Sequence, residues 1–531
     1  MPVGRSNLGV ALMVGATLGI ALRAGQQTPD APGLPSSRSL EEHGIKLQIA
    51  GHVEEAIAEF RAALQSDPQS ARLHFRLASA LREQGNVQAA IAEYRQAVSI
   101  APRLVEAHLA LGDLLRQTHN LTEADDEAHA CLRLAPGNSG AHNLLGKVYL
   151  SDGRVEKGVE ELRAAVRLQP ETAAWHLDLA MGLERQGNLT DAEAECREAV
   201  RLQPRDAPTR DALGKVLKDE GKIEEAIAEY QEAVRLSPGL TTARNNLGIA
   251  LEASGNPEGA AAQFREASRL NPEDAILHAN LGIALRQRGD LDGAIKEFNE
   301  ALRQRPDSAS IRYQLGSTLI DQGAMREAAA ELRRALRLDP HNAMAHEDRA
   351  IALYALGDNY HALTELRAAV RLNPSSVETH KLLGKVLRGQ FDWEGASLEY
   401  QEAIRLEPDD AEAHDCLGRT YLERGQLPKA MAEFHQALRL MPNFTDAHYD
   451  LGRALLEKRD LDGAIAELKE AVLLQPDFAG GQHELGLALQ QKGFDRDAIE
   501  HLRLAAQLDP TDKWIQNDYK TLAKRLAKQA K

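Results

Sequence analysis

This chain has little of what builds a thick globular core or an oxidised scaffold. Aromatic residues make up 4% of its 531 positions and cysteines number 3. Cys131 and Cys196 fall in rows of a repeated register far apart along the chain, and Cys416 lies further on again. A disulfide needs Cα atoms within about 7 Å, so no pair among them is expected, and all three read as small core hydrophobes. Neither an oxidising nor a reducing compartment is excluded. Basic residues are outnumbered, giving a formal net charge of −16. An acidic body repels phosphate backbones, so nucleic acid is not an expected partner.

The signatures of catalysis are missing as well. HExxH, CxxC and GxSxG do not occur, which removes the usual sequence marks of a zinc helix, a redox pair and a nucleophile elbow. The Gly-Lys pairs at Gly146, Gly214 and Gly384 are each followed by Val, where a phosphate-binding loop needs Ser or Thr after a strand. Acids follow helix-surface spacing, and no nucleophile and base stand out together. The expectation is a chain that is not an enzyme and needs no cofactor or metal. No strand pattern is visible.

What is present is a period. Prolines recur every 34 residues from Pro68 through Pro102 and Pro136 to Pro510, fourteen in all. An interval of about 34 is that of a stacked helix-turn-helix unit, and such arrays bind far more often than they catalyse. Twenty-four residues before each proline sits Gly or Ala, as at Gly44, Ala78, Gly112 and Gly146. A small residue there lets two helices approach closely. Further small rows run from Ala56 to Ala498 and from Ala63 to Ala505, with large residues such as Leu77, Leu81, Phe60, Tyr94 and Phe264 between them.

Within each unit the apolar spacing predicts two amphipathic helices. Eleven units place Gly at the turn between them, from Gly51 to Gly493, and three place His119, Phe391 or Arg459 there. Glycine ends a helix in the left-handed region without a Cβ penalty, so altered or strained turns are expected at those three. Each proline stops a second helix. A single core is not expected at this length, but a solenoid escapes that limit because each unit packs only on its neighbours.

These rows resemble the tetratricopeptide repeat family over residues 37–512, as fourteen units. The resemblance implies an all-α, right-handed superhelical solenoid whose first helices line a concave groove. It departs from the family where Trp is common near the start of the first helix. Nine units have histidine instead, from His74 to His448, and Arg210, Arg244 and Arg312 take that place elsewhere. Equivalent side chains on adjacent helices lie roughly 8–10 Å apart, too far to share one zinc at about 2 Å, so the histidines read as packing.

Function in an array lies where units differ. In repeats 7 to 9 the groove positions carry Asn245, Asn246, Asn280, Arg286 and Tyr313, with Ile249 and Ile283. Amides donate and accept toward a peptide backbone at once. The segment resembles the asparagine-bearing groove of O-GlcNAc transferase repeats at Asn246 and Asn280, while Ala212 and Gln314 interrupt the ladder. Peptide grip and a generic solvated face are the two readings. Repeats 11 to 13 carry Lys381, Lys385, Arg388, Arg419 and Arg453. They resemble the carboxylate clamp of heat-shock co-chaperones, but Lys385 and Cys416 stand where asparagines would. Glu378, Asp415, Glu423 and Asp450 are near in sequence, so the readings are an acidic-ligand site and an internal ion-pair network.

The two ends differ from the body. Arg5 precedes an uncharged run from Leu8 to Leu22, matching an export signal cleaved after Ala21, with an uncleaved anchor and a cytoplasmic chain as the alternatives. The Pro-rich polar stretch that follows, residues 25–36, reads as a linker. From Lys513 to Lys531 six basic residues face one acid, Asp518. Trp514, Ile515, Tyr519, Leu522 and Leu526 give this tail an apolar stripe, which reads as a capping helix or a membrane-surface helix. The expected function is a scaffold that binds protein or peptide partners in the cell envelope, touching membrane only through the N-terminal segment. The alternatives are a substrate-recruiting partner of a glycosyltransferase, or a permanent subunit of an envelope machine.

Overall fold

Repeat 8 shows how the sequence makes its unit. The Asp274 carboxylate accepts from the backbone N–H of Ile276 at 2.9 Å and starts the first helix, Ala275–Gln287. Such a cap satisfies one of the orphan donors at a helix start. Gly289 closes that helix at φ 79°, and the next N–H, of Asp290, bonds back to the Leu285 carbonyl at 2.9 Å. Asp290 then caps the second helix, Leu291–Gln304, through the N–H of Gly293 at 3.0 Å. In repeat 7 the residue before the proline, Asn271, is extended at φ −134° and ψ 79°, because proline disfavours helical backbone in its predecessor.

The computed structural model describes residues 36–529. The N-terminal apolar run and nearly all of the linker expected at residues 25–36 lie outside them. Among the described residues the chain is helical with no strand, in 29 helices, and none of these is long and apolar enough to cross a membrane. The helices pair as the period predicts. The chain divides into two units, one ending at Leu236 and one beginning at Ser237. The first holds repeats 1 to 6; the second holds repeats 7 to 14 and the final helix, Lys513–Gln529.

Most pairs are held by an aromatic or leucine from the second helix set over a glycine of the first. Phe60, Tyr94, Tyr230, Phe264, Phe298, Tyr400 and Phe434 are all 2% exposed or less. A Cβ on Gly282 would lie 2.8 Å from the Phe298 ring, and on Gly214 2.7 Å from Tyr230. Burial of each such side chain contributes about 1.5–3 kcal/mol. Within each unit the first helices also touch the first helices of the following repeat, as Ala309–Asp321 does Ala343–Ala355. Second helices do not approach one another to that extent. First helices therefore line the inner face.

The repeated histidine is a brace. His278 meets the Glu297 carboxylate with Nδ1 at 2.6 Å and the Pro272 carbonyl with Nε2 at 3.1 Å. His74, His108, His142, His176, His346, His380, His414 and His448 make the same two contacts, each with the glutamate 19 residues on and the preceding proline. Both oxygens only accept, so the brace is complete when both ring nitrogens carry a proton. Arg210 and Arg312 serve the same oxygens with a guanidinium, and Arg244 reaches Gln263 instead of a glutamate.

Three details refine or correct the expectation. His119, Phe391 and Arg459 do not alter the turn: they take the glycine conformation at φ 60°, 62° and 66°. The bond that closes it is kept, as from Asn120 N to Leu115 O at 2.9 Å. What remains is backbone strain, since Cβ disfavours this region. Cys131 and Cys196 are buried in core rows, but Cys416 is only partly buried on a first helix. Burial pushes the Cys131 and Cys196 thiols up to about 12. Trp514 does not join the apolar stripe of the last helix; it is 78% exposed, whereas Ile515 and Leu522 are buried.

Replacing Phe391 with Gly removes the left-handed cost and adds unfolded-state freedom, for a net gain of roughly 0.5–1 kcal/mol. The check is a higher thermal midpoint for Phe391→Gly and a lower one for Gly357→Phe. At His448, the hydrogen bond that the ring donates to Glu467, reinforced by the Pro442 carbonyl, raises the imidazole pKa against burial. A raised folded pKa means that this stability is full below about 6.5 and is lost as pH rises through the folded value. Denaturant titrations of the intact chain and Glu467→Gln should therefore differ most near pH 6 and converge under alkaline conditions.

Candidate functional site

The inner face of the second unit is a series of side chains that reach from one first helix to the next. In repeats 7 and 8 the Asn280 amide donates to the Asn245 carbonyl oxygen at 2.8 Å. That bond leaves the Asn280 carbonyl oxygen and the Asn245 amide nitrogen available. Asn246 lies beside Asn245 on the first helix Thr241–Ala253 and is half-buried. One turn further along the next helix, Arg286 reaches Asp321 of repeat 9 at 2.6 Å and Gln314 at 3.5 Å. Tyr313 is half-buried against Leu332 and Leu336, and burial pushes its phenol up. The structure thus links Asn245 to Asn280 and Arg286 to repeat 9, while Tyr313 packs on the apolar cluster of repeats 9 and 10.

Repeats 11 to 13 form a charged network. Lys381, on the helix Val377–Gly389, has Glu412 at 2.7 Å, Asp410 at 3.0 Å and Glu378 at 3.3 Å. Burial opposes its ammonium, but the hydrogen bonds it donates to Glu412 and Asp410 outweigh that and raise its pKa. Arg419, on the helix Ala411–Glu423, lies 3.3 Å from Asp450 and 3.7 Å from Asp415, and Arg453 lies 3.5 Å from Asp450. Lys385 is exposed and projects over the Tyr354 ring at 5.6 Å. Neither Lys385 nor Arg388 has a carboxylate at salt-bridge distance among the described residues. Three of the five cations are therefore held internally, and two are open.

The acids beneath them are under-compensated. Asp415 is 1% exposed and Asp450 2%. Burial, then the neighbouring Asp450 charge, pushes the Asp415 carboxyl up to about 8 against the pull of Arg419. Burial raises Asp450 as well, against Arg419 and Arg453. Oδ1 of Asp415 has no hydrogen-bond partner among the described residues. A partly satisfied buried network costs more than an apolar one, and strongly shifted groups of this kind cluster at functional sites.

Sequence spacing pointed to Glu378, Asp415 and Asp450 as counter-charges, and all three serve. Glu423 forms no ion pair among the described residues. Asp410 and Glu412 were not legible as partners of Lys381. Asp410 caps the following helix through Ala413 N–H at 3.0 Å, and its position just before that helix is the signal that it faces back to the preceding repeat. No group of residues suited to a metal ion occurs among the described residues.

The raised carboxyl predicts a pH effect with a definite sign. Asp415 binds its proton more tightly folded than unfolded, so its contribution to stability falls as pH rises from about 4 to about 8. Asp415→Asn should therefore gain on the parent chain across that window, seen as a difference in thermal midpoint that widens with pH and levels off above it.

Comparison with known families and structures places these features. Models described as tetratricopeptide repeat match residues 245–309, 285–347 and 421–483, and one described as TPR repeat matches 392–423. The model for the C-terminal domain of cilia and flagella-associated protein 70 matches 23–248. Comparison with curated proteins finds no match. Among solved structures, the APC/C hetero-tetramer Cut9–Hcn1 is similar at 16% identity and TM-score 0.40, over 92% of this chain and 96% of that one. YrrB, a TPR protein with an unusual peptide-binding site, is similar at 22% identity and TM-score 0.32, over 35% and 95%. A tetratricopeptide repeat protein from Parabacteroides merdae is similar at 20% identity and TM-score 0.38, over 47% and 98%. The family models, the unbroken 34-residue register and the helix pairs that it builds together show that the chain belongs to the tetratricopeptide repeat family.

Proposed function

We propose that the chain is a non-catalytic scaffold that binds an extended, acidic segment of a protein partner along the inner face of its second unit. The observation that carries this is the pair of cations on the first helix of repeat 11, Lys385 and Arg388, which have no carboxylate at salt-bridge distance among the described residues. A carboxylate seated on Lys385 and Arg388 gains charge-assisted hydrogen bonds. The amides and Arg286 in repeats 7 to 9 lie on the same face of the unit and extend the surface along the chain direction of a long ligand. Affinity on such a surface comes from many modest contacts rather than one deep pocket. The family supports this reading. The apolar run from Leu8 to Leu22 supports the cell envelope as its place.

Photo-crosslinking tests it. A photoreactive residue at Ile351, on the inner face, should yield partner adducts, while one at Leu398 on a second helix, 61% exposed, should not. Lys385→Glu with Arg388→Glu should lower capture of an acidic extended peptide tenfold or more, from the loss of charge-assisted bonds of about 1.5–3 kcal/mol each. Helicity should stay unchanged. Equal adducts from both positions, or capture indifferent to the double substitution, would refute the reading.

A further inference from the structure

The last helix, Lys513–Gln529, turns one face into the array and leaves the other with a charge opposite to that of the rest of the chain. Ile515 and Leu522 are buried, with Tyr519 and Leu526 packed beside them on Leu485, Leu489 and Leu502. The single acid, Asp518, is taken by His483 at 2.9 Å. Of the basic residues, Arg525 is tied to Asp495. Lys513, Lys520, Lys524 and Lys528 are exposed and have no carboxylate partner among the described residues. At 100° per residue those four lysines fall within a sector of about 80°, directly opposite Ile515 and Leu522. Trp514 borders the sector and is 78% exposed. A large apolar ring that the core leaves in water, beside a row of unpaired ammonium groups, is the combination that sits at the headgroup level of a bilayer.

We propose that this face docks the C-terminal end of the chain on an anionic lipid surface, with the lysines on the lipid phosphates and Trp514 in the interface. Charge complementarity selects the partner and the pose. The chain as a whole carries a formal charge of −16, so an anionic surface repels the acidic repeats and attracts the final helix. Four lysines near such a surface contribute about 1 kcal/mol each and lose it as salt rises. An acidic protein segment would use the lysines but has no need of an exposed indole. The indole decides for lipid.

The test is co-sedimentation of the full chain with vesicles of phosphatidylcholine alone and with 30% phosphatidylglycerol, at low and at physiological salt. The expected result is at least tenfold stronger binding to the anionic vesicles, falling with salt, with that excess abolished in the Lys→Gln variant at 513, 520, 524 and 528. Any contribution from the N-terminal apolar run is common to both vesicle types and to both proteins, and so drops out of the difference. Trp514→Ala should lower the excess several-fold and remove a blue shift of fluorescence seen on binding. Because all five side chains are exposed, the variants should keep their helicity. An anionic excess that survives the lysine substitutions would overturn the proposal. Equal retention of wild type and Trp514→Ala on poly-glutamate, without a vesicle excess, would overturn it in favour of an acidic protein partner.

Discussion

At the crossing of the two helices in repeat 7, a Cβ added to Gly248 would lie 2.5 Å from the Phe264 ring. That closeness is the constraint on which the structure depends. It forces one helix to offer backbone where the other offers an aromatic face, and it fixes both the distance and the rotation of the pair. Once the pair is fixed, the first helix has one side against its partner and another against its neighbours. The side that remains is the inner face. Where the first helix carries Ala instead, the partner is Cys196 opposite Ala180, but Tyr94 opposite Ala78 and Leu366 opposite Ala350, all buried.

Much of this was legible because it repeats. The proline, glycine and alanine rows appear in every unit, and a signal repeated fourteen times in one chain needs no alignment. The turn glycines were equally readable, since a left-handed residue after a helix has a strong preferred identity. The exceptions at His119, Phe391 and Arg459 were located correctly, and of the two expected outcomes the strained turn is the one found: hydrogen bonding across the turn outweighed the strain of a Cβ.

Less legible was whatever crosses from one helix to another. The nine histidines stood out, yet their glutamates 19 residues on belong to a second helix whose rotation no single-helix pattern reports. A search for charged residues that share the histidine interval would have found them. The basic cluster of repeats 11 to 13 was visible as composition, but Lys381 could be known as satisfied only when Asp410 and Glu412 came into reach. Trp514 failed for another reason. Helical periodicity places an aromatic residue near a stripe but does not say on which side of its edge it falls, and here it falls outward.

The histidine brace also says where a unit begins. It joins three segments: the carbonyl of the proline turn, the first helix and the second helix. The turn stands before the first helix, so a block cut at the helix start leaves its own anchor behind with the preceding repeat. Read by its covalent and hydrogen-bonded closure, the module runs from one proline to the next rather than from one helix start to the next. Arrays shortened, lengthened or shuffled at the proline keep every brace whole.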